Sequence, residues 1–170
     1  MNDFRKFIPL KKKHNRKDFD CGNRELNEYL KRYARQNDKS GINKTFIAVK
    51  SDTSVIIDGY YTISSSTIDF QSLPFEKRRK LPAYPIPAAL IGRLAVDISC
   101  QGEGLGTELL VNALSRIVRA SYEIGIYAVR VDAIDDSAKQ FYLKHEFIPF
   151  EDSSLSLFLP IKTIKREFEL

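Results

Sequence analysis

The alternation of apolar and polar positions divides the chain into a series of short elements. Phe4 to Leu10 reads as a first strand, and Lys11 to Lys17 as the basic loop after it. Asp18-Phe19-Asp20-Cys21-Gly22-Asn23 is rich in turn formers, and Asn23 is placed to cap a helix. Leu26, Tyr29, Leu30 and Tyr33 mark the apolar face of that helix, which should end near Gly41, with Lys31, Arg32 and Arg35 on its other face. Thr45–Val49 and Val55–Ser64 predict two strands joined by a polar turn. A short basic helix over Leu73–Leu81 is stopped by Pro82, Pro85 and Pro87. Ala88–Val96 then predicts a buried strand. Leu105, Leu109, Leu110, Ala113, Leu114, Ile117 and Val118 recur at helical spacing, with Gly125 as the expected stop. A strand over Tyr127–Ala133, a helix capped by Asp135 or Asp136 and a final strand, Leu155–Leu159, complete the pattern before a charged tail. An early meander followed by a strand–helix–strand–helix–strand unit implies a mixed α/β (α+β) fold, with a sheet flanked by helices on both faces. Nothing in the chain marks a linker, so residues 1–170 read as one domain.

Between the strand Ala88–Val96 and the long helix stands Gln101-Gly102-Glu103-Gly104-Leu105-Gly106, followed by Thr107. Three glycines leave the backbone N–H groups unshielded at the positive end of a helix dipole, which suits a diphosphate. No Lys-Ser/Thr pair follows the last glycine, so this is not a mononucleotide P-loop. The dinucleotide fingerprint's third glycine is also missing. The spacing Gln-x-x-Gly-x-Gly is similar to the coenzyme A pyrophosphate loop of the GNAT superfamily of acyl-CoA-dependent N-acetyltransferases.

Composition adds a charge asymmetry. Net charge is +5, but residues 1–50 hold 14 Lys/Arg against 6 Asp/Glu, a balance of +8, whereas the remainder is net acidic. Such a division suggests a polyanionic partner for the basic part. Lys11, Lys12, Lys13, Arg32, Arg35, Arg78, Arg79 and Arg93 are the candidate contacts. No apolar run approaches the roughly 20 residues of a membrane helix. Met1–Lys6 has no signal-peptide core, so a cytoplasmic location is expected. Cys21 and Cys100 read as reduced thiols. His14, in the basic run, and His145, near a helix end, have no partner at metal-ligand spacing, so no metal is expected.

A closer resemblance extends over nearly the whole chain. Asp20-Cys21-Gly22-Asn23-Arg24-Glu25-Leu26-Asn27-Glu28-Tyr29-Leu30, Gly59–Ser64, Gly92-Arg93-Leu94-Ala95-Val96-Asp97, and Ala138-x-x-Phe141-Tyr142 with Phe147 resemble the GNAT toxins of bacterial type II toxin–antitoxin modules. The resemblance implies a mostly antiparallel sheet splayed at the cofactor site. It also implies acetyl transfer from acetyl-CoA to the α-amino group of aminoacyl-tRNA, and sequestration by a ribbon-helix-helix antitoxin. A homodimer is a common assembly of such toxins. Carried over by position, Leu94, Ala95 and Val96 would meet pantetheine, Gln101, Gly102, Glu103, Gly104, Leu105, Gly106 and Thr107 the pyrophosphate, and Tyr142 would donate a proton. Glu103 is an acid within an anion loop, acceptable where its carboxylate points to solvent.

The chemistry agrees with this substrate. An α-amino group titrates near ~8, so much of it is already neutral and no strong base is needed. A phenol near ~10 can protonate a departing thiolate near ~8.5, and the Val96 N–H is the natural oxyanion donor. Asp97 is a candidate water-mediated base or, more simply, a cap. Two alternatives stay open at this point: a GNAT acetylating a small amine or protein amino group, and a non-catalytic RNA-binding module.

Overall fold

A computed structural model describes residues 4–168. The elements are β1 (Lys6–Pro9), α1 (Arg24–Glu28), a π-helical turn (Tyr29–Tyr33), α2 (Ala34–Lys39), β2 (Lys44–Val49), β3 (Gly59–Ile68), α3 (Phe75–Arg78) and β4 (Ile86–Val96). They continue as α4 (Leu105–Ala120), β5 (Ala128–Asp132), α5 (Asp136–Lys144), β6 (Ile148–Pro149), β7 (Ser156–Pro160) and α6 (Ile161–Glu167). The strand order is β1-β2-β3-β4-β5-β7-β6. β1–β2, β2–β3, β5–β7 and β6–β7 are antiparallel, while β4 and β5 run parallel. The mixed, mostly antiparallel sheet expected from the sequence is therefore present.

Two compact units divide the chain. The first comprises the residues up to Ser64 together with Gly92–Ala113. Its core joins Leu10, Phe19, Leu26, Tyr29, Leu30 and Ala34 to Ile47, Val49, Ile57, Tyr60 and Ala95. The buried Tyr60 hydroxyl donates to the Leu26 carbonyl (2.7 Å), so its polar end is satisfied. The second unit comprises Ser65–Ile91 and the chain from Leu114 onward. Ile68, Leu73, Ile86, Ala88, Ala128, Phe150 and Phe158 form its core, with Phe150 stacked on Phe158.

Several predicted elements are re-drawn by tertiary packing. Asn23 does cap α1, accepting from the Leu26 N–H (3.0 Å). One turn later, however, the Ala34 N–H reaches back five residues to the Tyr29 carbonyl, and the chain makes a π turn. That extra residue rotates the register: Ala34 is fully buried, whereas Tyr33, expected on the apolar face, is 54% exposed. β3 begins at Gly59 rather than Val55. Val55 and Ile56 are exposed, and only from Asp58, whose N–H donates to the Ala48 carbonyl, does the chain join β2. α4 ends at Ala120, short of Gly125, and the basic helix shortens to Phe75–Arg78. The presumed charged tail is α6, held down by buried Ile161 and Ile164. β6, two residues long, carries too little pattern to be foreseen. His14, although it stands in the basic run after β1, is only 3% exposed.

Gly59 sits where α4 crosses the start of β3 within the first unit. A Cβ there would lie 2.8 Å from Leu109 Cδ1 and 3.0 Å from the Ala95 carbonyl oxygen. Gly59→Ala is expected to destabilise the fold by about 1–3 kcal/mol, because the backbone oxygen cannot move aside as a side chain can. The urea midpoint measures this, and an unchanged midpoint would show that the crossing has slack.

Candidate active site

At the end of β4 the chain turns a corner built on Asp97. One carboxylate oxygen accepts from the Ser99 N–H (3.0 Å) and hydroxyl (2.7 Å), capping a 3-10 turn over Ile98–Cys100. The other accepts from the Asp20 N–H (3.0 Å), and the Ile98 N–H returns a bond to the Asp20 carbonyl (2.8 Å). The Asp20 side chain accepts from the Gly22 N–H and Asn27 Nδ2 (2.9 Å each), and Asn27 Oδ1 accepts from the Cys21 N–H (2.8 Å). The Asp-Cys-Gly-Asn segment is thus a turn bolted to the end of β4. Burial by itself would raise the Asp97 pKa, but its three hydrogen bonds outweigh burial and hold the carboxyl below the usual range. Its contribution to stability is therefore present above the ordinary carboxylate pKa and is lost as pH falls through the depressed value. Both oxygens are committed to this corner, which makes Asp97 a cap rather than a base.

Gln101 completes the corner. Its Nε2 donates to the Val96 carbonyl (2.9 Å) and to the Cys21 carbonyl (3.0 Å), tying the strand end to the bolted turn. Gly102 (φ 79°) and Gly104 (φ 84°) are in the left-handed region, where a side chain costs energy and glycine does not. Leu105 is buried and anchors the first turn of α4. The helix ladder enters with the Glu108 N–H on the Gly104 carbonyl (3.2 Å), so the amides of Leu105 and Gly106 stand ahead of it at the positive helix end. Thr107 is exposed in that turn. Glu103, also exposed, meets Arg5 Nη2 at 3.4 Å, and Arg5 Nε holds the buried Asp58 at 3.0 Å. Bare backbone beside a helix end, with its one acid already facing a guanidinium, fits a diphosphate.

Tyr142 lies in the second unit, on α5. Asp135 caps that helix through the Ala138 N–H (2.8 Å). The far end closes with Glu146 N–H on the Leu143 carbonyl and Phe147 N–H on the Tyr142 carbonyl (3.1 Å each), a Schellman motif. Glu146 occupies the left-handed position (φ 71°), one that favours glycine. Phe147 folds back edge-on to the Tyr142 ring (5.4 Å between centroids), and Phe141 packs on it at 5.2 Å. Burial raises the phenol pKa well above its ordinary value, so the hydroxyl keeps its proton.

The candidate RNA contacts are not equivalent. Lys11, Lys12, Lys13 and Arg35 are exposed. Arg32 is paired with Glu28 (2.7 Å), and the guanidinium carbon of Arg93 lies over the Tyr29 ring, 3.4 Å from its centroid. Arg78 donates to Gln71 (3.2 Å), and Arg79 is exposed beside it; both belong to the second unit. Sequence reasoning missed Arg5, Asp20, Asn27 and Asp58 as builders of the loop's surroundings. The Asp-x-Gly-Asn turn, which Asn27 serves from six to seven residues away, was the one local signal among them; Arg5 meets Asp58 across 53 residues of chain and Glu103 across 98. Among the described residues, no cluster of His, Cys, Asp or Glu could hold a metal ion, and no helix is long and apolar enough to cross a membrane.

Residues 86–156, from β4 through the glycine loop and α5, match the family model of the acetyltransferase (GNAT) domain. Fold and loop therefore define an acyl-CoA-dependent N-acetyltransferase. The chain is 35% identical over 144 residues to the tRNA-acetylating toxin of Mycobacterium tuberculosis (strain ATCC 25618 / H37Rv), covering 85% of this chain and 84% of that protein. It is 31% identical over 161 residues to the probable toxin TacT of Sinorhizobium fredii (strain NBRC 101917 / NGR234), covering 90% and 88%. A tyrosine-to-phenylalanine mutant of KacT superposes with a TM-score of 0.92 at 32% identity, over 96% of this chain and 99% of that one. AtaT complexed with acetyl-methionyl-tRNAfMet gives 0.90 at 30% identity, over 97% and 99%. A tyrosine-to-phenylalanine AtaT bound to acetyl-CoA and the C-terminus of the antitoxin AtaR gives 0.84 at 28%, over 98% and 99%. The chain belongs to the GNAT family of tRNA-acetylating toxins.

Removing the Gln101 amide frees two carbonyls that hold the loop against β4 and the Asp20 turn. Gln101→Ala is expected to weaken acetyl-CoA binding about tenfold, the loss of roughly 1.4 kcal/mol of loop order. Calorimetry of the full chain with acetyl-CoA measures it, and wild-type affinity in the variant would remove Gln101 from the assembly of the loop.

Proposed function

We propose that this chain acts as one acyltransferase domain, moving the acetyl group of acetyl-CoA onto the α-amino nitrogen of an aminoacyl-tRNA. The product lacks the free amine needed for peptide-bond formation, so translation stops. The observation that carries the reading is the clamped glycine corner at the head of α4. β4 and α4 each run through both compact units, which supports a single domain. On the acceptor side the support comes from AtaT and its acetylated initiator tRNA.

Acetyl-CoA supplies the activated thioester. The chain's own residues do the rest. The backbone of Leu94, Ala95 and Val96 pairs with the pantetheine arm, and the Val96 N–H donates to the carbonyl oxygen as charge develops there. The amides of Gly102 to Gly106, with the Thr107 hydroxyl, hold the diphosphate. Gln101 and Glu103 contribute through the loop's geometry, Gln101 by its tethers and Glu103 by its contact with Arg5. Leu105 contributes its amide only, its side chain being core. Tyr142, kept protonated by burial, donates its proton towards the departing sulfur. The incoming α-amine, near ~8, needs no side-chain base, which suits an Asp97 committed to its corner.

Lys11, Lys12, Lys13, Arg35 and Arg79 provide the exposed cationic contacts for the tRNA backbone. Arg32, Arg78 and Arg93 add charge from side chains already held by neighbours. Such contacts give salt-dependent affinity without sequence choice. An antitoxin silences the toxin, a reading supported by AtaT bound to the C-terminus of its antitoxin AtaR; its ribbon-helix-helix class and the pairing of the chain with a second copy follow from the family resemblance alone.

Mass spectrometry of charged tRNA, incubated with labelled acetyl-CoA, tests the activity, and label absent from the aminoacyl group would sink it. Tyr142→Phe keeps the aromatic packing and removes only the hydroxyl. It is expected to lower kcat by about 10²–10⁴-fold with little change in acetyl-CoA affinity. A fully active phenylalanine variant would take Tyr142 out of the chemistry.

A further inference from the structure

Outside the glycine corner, the first unit contains a cavity of about 310 Å³ lined by His14, Asn15, Arg16, Lys17 and Lys31. Its chemistry is one-sided. His14 is only 3% exposed, and its Nδ1 accepts from the Lys11 N–H at 2.9 Å. The ring proton therefore sits on Nε2, a buried donor that has no partner. Arg16 donates from Nη1 to the Lys31 carbonyl (2.9 Å), yet its Nε–H is also buried without a partner. Asn15 is satisfied within its own turn by Asp18, to which its Nδ2 donates at 2.7 Å and from whose N–H its Oδ1 accepts at 3.2 Å. His14 and Arg16, which line the cavity with two lysines, each carry a buried donor without a partner, an anomaly since almost every buried polar group in a folded protein is hydrogen-bonded. The anomaly disappears when an acceptor-only group of negative charge enters.

We propose that this cavity is a phosphate seat, in which His14 Nε2–H and Arg16 Nε–H donate to one phosphate oxyanion while Lys17 and Lys31 supply charge. Resting on the function proposed above, the phosphate would be a backbone phosphodiester of the tRNA; a free phosphate has the same chemistry. Lys11, Lys12 and Lys13 immediately precede the lining residues and would extend the contact along a polyanion. The seat differs from those lysines in kind. A fixed pair of buried N–H groups positions one phosphate, whereas exposed ammonium groups hold a strand loosely.

The test uses the full chain with 15N-labelled histidine. Inorganic phosphate is expected to shift the His14 Nε2–H resonance saturably and to leave that of His145, on α5, in place. Arg16→Gln should abolish the shift. Uncharged tRNA is expected to shift the same resonance. Because His14 and Arg16 are buried and their variants can misfold, the more exposed pair is tested too: K17A/K31A should lower tRNA affinity about tenfold and reduce the salt slope by about one to two. A His14 resonance unmoved by both probes overturns the seat. A response to phosphate alone, with tRNA affinity unchanged in K17A/K31A, overturns the RNA source and leaves free phosphate as the ligand. Absence of acetyl transfer to aminoacyl-tRNA with the phosphate shift intact would fail the proposed function and leave the seat standing; transfer intact with no shift does the reverse.

Discussion

The hydrogen bonds that close the end of β4 onto the Asp20 turn are the constraint on which the acyl-donor site depends. Asp97 holds the Asp20 N–H, the Asp20 carbonyl holds Ile98, and Gln101 bridges Val96 and Cys21. No single bond of this kind stabilises by more than about 1–3 kcal/mol, but each removes freedom from the same short segment. Glycines at φ 79° and 84° bring conformational freedom to this segment. Fastened on one side to this corner and on the other by buried Leu105, they present bare amides in a fixed direction. Preorganisation of that kind lets a diphosphate bind without first ordering the loop.

Tyr142 is fixed by different means. Its helix is capped by a carboxylate at one end and closed by a Schellman turn at the other, and aromatic edges hold the ring. Glu146, a non-glycine residue in the left-handed region, bears local strain for this closure. Burial that would be a liability for a charged group is an advantage for a phenol that must stay protonated. The acids differ in the same way in their surroundings: Asp97 and Asp58 are each given donors, whereas Glu103 is left mostly in water.

The positive charge of the first fifty residues divides by environment. Arg5 stabilises the buried Asp58 and Arg32 reaches Glu28, so these cations serve the fold. The lysines of residues 11–13 remain in solvent, where their charge acts at a distance. Arg16 and His14 belong to neither group, being buried donors with unspent hydrogen-bonding capacity.

Much of the fold was legible in the chain because it follows from local rules. The helical spacing from Leu105 to Val118 is borne out residue by residue, all seven apolar positions being buried. Asn23 and Asp135 cap their helices as their positions required, and the glycine loop lies between β4 and α4. What failed locally did so for a physical reason. Periodicity assumes an unbroken helix, and a single π turn moved Tyr33 out of the core and Ala34 into it. Hydrophobicity alone began β3 too early, because strand pairing and not side-chain type sets where a strand starts. The partners of Gln101, Glu103 and Asp97 lie up to 98 residues away in the chain. The residue types, their spacing and the helix dipole were determined by sequence alone. Which donor meets which acceptor was decided only in three dimensions, since a hydrogen bond depends on distance and angle that no spacing along the chain encodes.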